Sequence, residues 1–352
     1  MPIAIESVEH DIGEGLRLAA WKDALAVWRE ALTTFPGATI YQHERWLEAL
    51  RSCYRIDLRV ATLHRHGKLR AAAVFAYSKR LFSTRLVSIP FSDRGEILAV
   101  DDETRADFMH ELTCSNHSAW IEVRGTAGSA PWVNVDCFVH WTLDLNRSFS
   151  DLYSGVSRTV RNGVKRARKD GIQIERGASI DFISRYFELQ LETRRRLGVP
   201  PQPQKFFNAV HDKFSSNGDC EVWFATHQGR DLAGLVLLRE GDQLCYKWGA
   251  RSESAHRGAN HLLVVAMLEE YTGKARSIDF GRCDSRNEGL VRSKADLGCT
   301  SAPLPYAFFP TAPRHVSSEV LSGPAKLLSS AWKRLPLWAT RLLGEAMYRY
   351  VA

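Results

Sequence analysis

Two stretches of the chain repeat the same hydrophobic grammar. Arg59-Val-Ala-Thr-Leu-His-Arg-His-Gly67 runs into Lys68-Leu-Arg-Ala-Ala-Ala-Val-Phe-Ala-Tyr77. Further on, Glu221-Val-Trp-Phe-Ala-Thr-His-Gln-Gly229 runs into Arg230-Asp-Leu-Ala-Gly-Leu-Val-Leu-Leu-Arg239. Each reads as strand, tight turn at glycine, strand. Helix-period patterns precede both hairpins, at Ala19–Leu32 and His43–Cys53 in the first case and at Ser179–Leu197 and Gln204–Ser215 in the second. A further strand, a helix and a strand follow each: Thr104–Ser115 then Ala119–Arg124, and Asn260–Gly273 then Arg276–Gly281. This order, twice over, predicts an α/β (α+β) protein of two tandem mixed sheets, each with helices on both faces.

A third pattern occupies the segment Arg158–Lys169. At about 100° per residue, Val156, Val160, Val164 and Ala167 share one face of a helix, and Arg158, Arg161, Lys165, Arg168 and Lys169 share the other. Solvated charged faces usually alternate in sign, whereas the whole segment Arg158–Lys169 has six basic residues and no acid. Such a face seeks phosphate on a nucleotide-sugar, a lipid pyrophosphate or RNA. The last stretch of the chain is patterned differently again. Pro324 opens a run with Leu328, Ala331, Trp332 and Leu335 on one face; after Pro336, Trp338, Leu342, Leu343, Ala346, Met347 and Tyr350 fall together. Short basic helices with tryptophan fit either an anionic membrane surface or the protein's own flank.

Composition narrows the class. With 352 residues, 45% hydrophobic and 25% charged, the chain has room for two globular domains. No run reaches the roughly 18 uncharged apolar residues of a membrane span, and Met1–Leu18, with Glu6, Glu9, Asp11 and Glu14, lacks a secretory pattern. The seven cysteines are scattered without a C-x-x-C pair, which speaks against a disulfide framework or zinc and for a reducing, cytoplasmic setting. No metal is expected. Of the net charge of +7, Pro324–Ala352 carries +4, with five basic residues against Glu345.

Three motifs lie in the second half. The first is Arg194-Arg-Arg-Leu-Gly-Val-Pro200. The second is Tyr246-Lys-Trp-Gly249 followed by His256-Arg-Gly-Ala-Asn-His-Leu-Leu263. The third is Ile278-Asp-Phe-Gly-Arg282 with Lys294-Ala-Asp-Leu-Gly298 and Pro303-Leu-Pro-Tyr306. Together they resemble the FemAB-like family of the N-acetyltransferase (GNAT) superfamily, in particular members associated with bacterial exopolysaccharide systems. Tyr41-Gln-His-Glu-Arg-Trp46 and Pro90-Phe-Ser-Asp-Arg-Gly95 carry the likeness into the front half in outline. The sequence departs from the family where Asn287-Glu288-Gly289 stands near the usual Gly-Thr-Gly, Ser293 replaces an aromatic, and Leu297 replaces a tryptophan.

The resemblance implies a degenerate GNAT-like domain at 1–148, an acyltransferase domain at 149–312 and an amphipathic helical tail at 313–352. It implies transfer of an aminoacyl or acyl group to an amine of a cell-envelope glycan or polysaccharide precursor, with aminoacyl-tRNA or acyl-CoA as donor and no bound cofactor. Lys294 is the matching catalytic lysine, whose ammonium suits a developing oxyanion. Arg158, Arg161 and Lys165 are expected to meet the phosphates of a nucleotide-sugar or lipid-linked acceptor, and tRNA is a further expected partner. Arg282 ends an apolar strand where a charge must be paired or functional, with Asp279 the nearest candidate partner. Tyr246, Trp248 and Tyr306 are expected to flank a cleft, with Asn260 at the opening of the following helix. Two readings stay open beside this one. A coenzyme-A-dependent N-acetyltransferase is disfavoured by the single glycine in His256–Asn260, since pyrophosphate is usually held by a glycine-rich helix start. The other is a non-catalytic membrane- or RNA-associated binding protein. The cytoplasm is the expected location, at the inner face of the cytoplasmic membrane if the tail at 324–352 binds lipid.

Overall fold

A computed structural model describes residues 14–80, 83–115, 119–254, 256, 258–313, 316 and 329–351. The tail positions Pro324 and Leu328, most of the acidic N-terminal stretch and Arg257 of the second motif lie outside the described residues. The chain forms two compact units, residues 1–137 with 303–316 and residues 138–302 with 317–352.

The first unit runs β1 (Gly15–Ala20), α1 (Trp21–Thr34), α2 (Glu44–Tyr54), β2 (Asp57–Arg65), β3 (Lys68–Arg80), β4 (Ser83–Ser88), β5 (Leu98–Ala99), α3 (Asp102–Ser115), β6 (Ala119–Arg124) and β7 (Val133–Val135). The second runs β8 (Phe138–Asp144), α4 (Phe149–Gly155), α5 (Arg158–Lys169), β9 (Gln173–Gly177), α6 (Ile180–Leu197), α7 (Gln204–Phe214), β10 (Cys220–His227), β11 (Arg230–Glu240), β12 (Gln243–Arg251), α8 (Ala259–Tyr271), β13 (Ser277–Asp284), α9 (Glu288–Ala295) and β14 (Thr300–Pro303). Then β15 (Tyr306–Phe309) returns to the first unit, and α10 (Leu337–Val351) belongs to the second.

Both predicted hairpins form, β2 with β3 and β10 with β11. Each turns on a two-residue loop, His66-Gly67 or Gln228-Gly229, with both residues at positive φ. That is the turn whose twist matches a hairpin, and it uses glycine where the left-handed conformation is cheapest. Around the hairpins the two sheets are built alike: a parallel pair, β4 with β6 or β12 with β13, joined over a helix, α3 or α8. The fold is thus a tandem pair of mixed sheets, as the repeated pattern predicts.

The expected boundary at 148/149 is corrected. The strand beside β13 is β8, which starts at Phe138, three residues after β7 ends in the other sheet. The strand beside β6 is β15, from the far end of the chain. Tyr306, expected in the 149–312 domain, therefore belongs to the first unit, where its ring is buried and its hydroxyl donates to the Asp93 carbonyl at 2.7 Å. Hydrophobic alternation shows that a segment is a strand but not which sheet completes it.

In the second unit, α5 and α8 cover one face of the sheet with Leu235, Leu237, Phe280 and Leu263 in a shared core. Phe206 and Phe207 of α7 pack at the opposite face. Val156, Val160, Val164 and Ala167 are all buried, as the helical wheel requires.

Candidate active site

The parallel pairing of β12 with β13 runs only from Gln243↔Ser277 to Cys245↔Asp279. Both strands then continue, β12 to Arg251 and β13 to Asp284, without pairing to each other. Each carries an irregularity at this level. On β12, Val236 faces Trp248 and Leu237 faces Tyr246, which leaves Lys247 as an extra residue. On β13 the register against β8 shifts between Asp279 and Arg282, with Gly281 at φ 71°. A bulge bends its strand and increases its twist; two at one level part the strands.

Lys294, in the last turn of α9, reaches this place. Its Nζ donates to the Gly281 carbonyl at 3.0 Å and to the Arg282 carbonyl at 3.3 Å. The connection from β13 fixes α9 in turn. Asp284 is fully buried and accepts from the Arg286 guanidinium at 2.9 and 2.6 Å and from the Arg286 backbone N–H at 2.9 Å. Asn287 then caps α9, its Oδ1 accepting from the Leu290 N–H at 3.2 Å. Asn287, one of the departures from the family pattern, is thus a helix cap. Leu297, another, is buried in the core. Asp284 and Arg286 were not singled out from the sequence, although the Asp-Ser-Arg-Asn run before a helix is a readable capping signal.

Arg282 lies within β13, not at its end, and its guanidinium sits 4.1 Å from the centre of the Phe138 ring. Asp279 is not its partner. Asp279 meets His140 at 2.8 Å and accepts from the Gly281 N–H at 2.5 Å. The bulge places His140, not a carboxylate, opposite Arg282 in register. The Asp279 carboxylate, by accepting from the Gly281 N–H, thereby holds the bulge whose carbonyls Lys294 contacts.

Tyr246 stacks on Phe280 at 5.5 Å at the base of the split, and loss of solvent pushes its hydroxyl up to about 12. Trp248, expected beside it, packs instead on Phe206 and Phe207 at 5.8 and 4.5 Å. Residues i and i+2 share a face in a regular strand, but the extra Lys247 between them breaks that alternation.

Two of the three basic residues expected at phosphate, Arg158 and Lys165, are exposed on the outer side of α5. Arg161 is turned inward: its Nη1 donates to the carbonyls of Ser154 and Val156 at 3.0 and 2.7 Å and so closes the end of α4. The helix begins at Ser157, whose Oγ accepts from the Val160 N–H and whose N–H donates to the Asp296 carbonyl at the end of α9. Asn260 lies in the first turn of α8. The crossing of α5 and α8 is close because Gly163 and Gly258 meet there: a Cβ on Gly258 would fall 2.3 Å from the Gly163 carbonyl oxygen. The Gly258 N–H donates to His256 Nδ1 at 3.0 Å, and His256 Nε2 meets Asp170 at 2.9 Å. Among the described residues, no group of three metal-ligating side chains gathers.

Residues 154–288 match the family described as acetyltransferase (GNAT) domain. The UDP-N-acetylmuramoylpentapeptide-lysine N(6)-alanyltransferase of Weissella viridescens is 19% identical over 181 residues, which cover 50% of this chain and 53% of that protein. The chain thus spans about half the length of this curated relative in the match. Among solved structures, that of FemX superposes with a TM-score of 0.61 at 15% identity, over 80% of this chain and 95% of the other. The C-terminal domain of a putative lysylphosphatidylglycerol synthetase from Agrobacterium fabrum superposes with a TM-score of 0.54 at 13% identity, over 82% and 93%. The second unit is an acyltransferase domain of the GNAT type. Beyond the matched residues, the chain is similar in fold to FemX.

Proposed function

We propose that the protein transfers an aminoacyl or acyl group to an amine of a cell-envelope glycan or polysaccharide precursor. The observation that carries this reading is the strand split with Lys294 on the β13 backbone beside it. In such a reaction a neutral amine attacks the donor carbonyl, a C–N bond forms, and the ester or thioester bond to the donor breaks. The amine gives up a proton and the carbonyl oxygen carries charge in between. A lysine ammonium held at a fixed place by two carbonyls is a preorganised positive charge for that oxygen. Arg158 and Lys165 suit the phosphates of a nucleotide-linked or lipid-linked acceptor.

The donor side favours aminoacyl-tRNA over coenzyme A. The one glycine of the α8 opening is spent on the contact with Gly163, and its N–H is taken by His256. Neither is then available to wrap a pyrophosphate. The curated relative is named for alanyl transfer to the lysine of a UDP-linked muramoylpentapeptide, which agrees with an acceptor of this chemistry. On this reading the reaction takes place in the cytoplasm, at the inner membrane face where the acceptor is lipid-linked.

The test is direct. The full chain is incubated with charged tRNA pools or acetyl-CoA and with UDP-linked and lipid-linked muramoylpentapeptides, and the acceptor is weighed by mass spectrometry. The expected result is a mass gain of one aminoacyl residue with charged tRNA, lost in Lys294→Met. A folded protein that transfers nothing from either donor overturns the reading; transfer from acetyl-CoA alone overturns the donor assignment.

A further inference from the structure

The C-terminal helix α10 lies against its own unit with the wrong face for a soluble protein. Helices on a globular surface bury their apolar stripe and show their polar side. Here the buried side is small and polar: Thr340 and Gly344 are buried, with Tyr348 partly so. Gly344 permits the close approach, since a Cβ there would fall 2.7 Å from the Pro201 carbonyl oxygen. Tyr348 approaches the Arg194 guanidinium at 3.5 Å, and Arg341 pairs with Glu188 of α6 while lying 5.3 Å from the centre of the Phe187 ring. These polar contacts anchor the helix to α6.

The side turned away carries Trp338 at 68% exposure, Leu342 at 59%, and Leu343 and Met347 each at 44%, with Ala346 exposed among them. At about 100° per residue these positions span close to half the helix circumference. Leaving so much apolar surface in water is costly unless something covers it.

Charge decides what that cover is. Lys333 and Arg334, immediately before α10, are both exposed. With Arg341 taken by Glu188, these two cations stand against one exposed acid on the helix, Glu345. A protein groove built to take this face would be paired with one surface; a broad apolar face with flanking cations and a tryptophan at its start matches an anionic lipid surface. No helix among the described residues is long and apolar enough to cross a membrane, so the contact is with the surface. We infer that α10 is a lipid-docking helix: Trp338, Leu342, Leu343 and Met347 enter the headgroup layer, and Lys333 and Arg334 bind anionic headgroups. The inference stands apart from the proposed transfer reaction and uses none of its residues.

Vesicle co-sedimentation of the full chain tests it, with phosphatidylcholine vesicles that contain or lack phosphatidylglycerol. The chain is expected to pellet with the anionic vesicles and far less with the neutral ones. Trp338→Ser with Leu342→Ser is expected to weaken binding by tenfold or more. Because both side chains point away from the protein, the double variant should keep the thermal midpoint of the parent. Lys333→Glu with Arg334→Glu is expected to remove the preference for anionic vesicles. Absence of binding to either vesicle overturns the inference. So does a dimer in light scattering that the Trp338→Ser, Leu342→Ser variant dissociates, because a second copy would then be the occupant. Equal binding to both vesicle types overturns the charge argument.

Discussion

Gly258→Ala is the sharpest probe of how the candidate site is assembled. The added Cβ would lie 2.3 Å from the backbone oxygen of Gly163 and 3.1 Å from the Ala167 Cβ. Ordinary contact begins near 3.4 Å, so α5 and α8 must part by about 1 Å. A carbonyl inside a helix cannot swing aside as a side chain can, and forced overpacking of this kind costs about 1–3 kcal/mol. For a domain of this size that is a fall of roughly 2–12 °C in thermal midpoint. Backbone strain is not the cause, because Gly258 has φ −88° and ψ −11°, which alanine adopts freely. The matched control is Gly163→Ala on the facing helix. There the Cβ meets His261 Nδ1 at 2.2 Å, and the three nearest atoms all belong to that one side chain. Removing the ring should therefore convert the substitution from harmful to helpful: in a His261→Ala background, Gly163→Ala gains up to about 1 kcal/mol of helix propensity. Circular-dichroism melts of the four variants measure this. If Gly258→Ala melts within about 1 °C of the parent, or if His261→Ala fails to rescue Gly163→Ala, the helices do not cross as described.

Lys294→Met should lower stability by about 1–2 kcal/mol through loss of two charge-assisted bonds to carbonyls, seen as a lower urea midpoint, while transfer falls by at least about a hundredfold. Lys294→Arg keeps the charge but not the compact shape, so it should recover stability more than turnover. Arg158→Glu with Lys165→Glu should raise KM for a phosphate-bearing acceptor about tenfold or more and leave kcat and the thermal midpoint nearly unchanged, since both side chains are exposed on α5. If kcat falls and KM holds, the phosphates lie elsewhere. Burial of the His261 ring holds its pKa below the ordinary value near 6.5. The unfolded chain thus takes up a proton that the folded one refuses, so His261 contributes a loss of stability as pH falls through about 6.5 and nothing above it. Urea midpoints across that range, compared with His261→Asn, should show a shallower acid decline in the variant.

What could be read in the sequence was whatever depends on near neighbours. The buried and basic faces of α5 follow from 3.6-residue periodicity, and the hairpins follow from alternation and the glycines at 67 and 229. The candidate site was legible only in part. Lys294 and Tyr246 were found at the strand split through motif resemblance, but three features escaped. Trp248 was expected to flank a cleft together with Tyr246, and nothing local marks Lys247 as the extra residue of a bulge. Asp279 was assigned to Arg282, three residues away, when its partner His140 is 139 positions distant and on another strand. Arg161 looked like part of a phosphate-binding stripe, and only the placement of α4 reveals the carbonyls that claim it. Each miss is a long-range register or loop placement, which single-sequence patterning does not encode.

On the proposed reading, the chemistry belongs with one of the two sheets because they differ beyond their parallel pairs. In the first unit the parallel strands β4 and β6 pair from Thr84↔Ala119 to Val87↔Glu122, which uses almost all of β4. The next position is closed as well, because the Ser88 hydroxyl accepts from the Arg124 N–H at 2.9 Å. The Arg124 guanidinium then takes the carbonyls of Ile89 and Ser92. Backbone groups past the last pair are thus satisfied internally, and no wedge remains for a carbonyl to enter between the strands. In the second unit β12 runs six residues beyond Cys245, the last of its residues to pair with β13, and bulges on both strands hold the edges apart. An acyl donor needs unsatisfied backbone groups to bind against, and a closed ladder offers none. On the proposed reading the same fold therefore serves the two units differently: the closed sheet is scaffold, and the open one, with Lys294 on its β13 edge, is where transfer takes place.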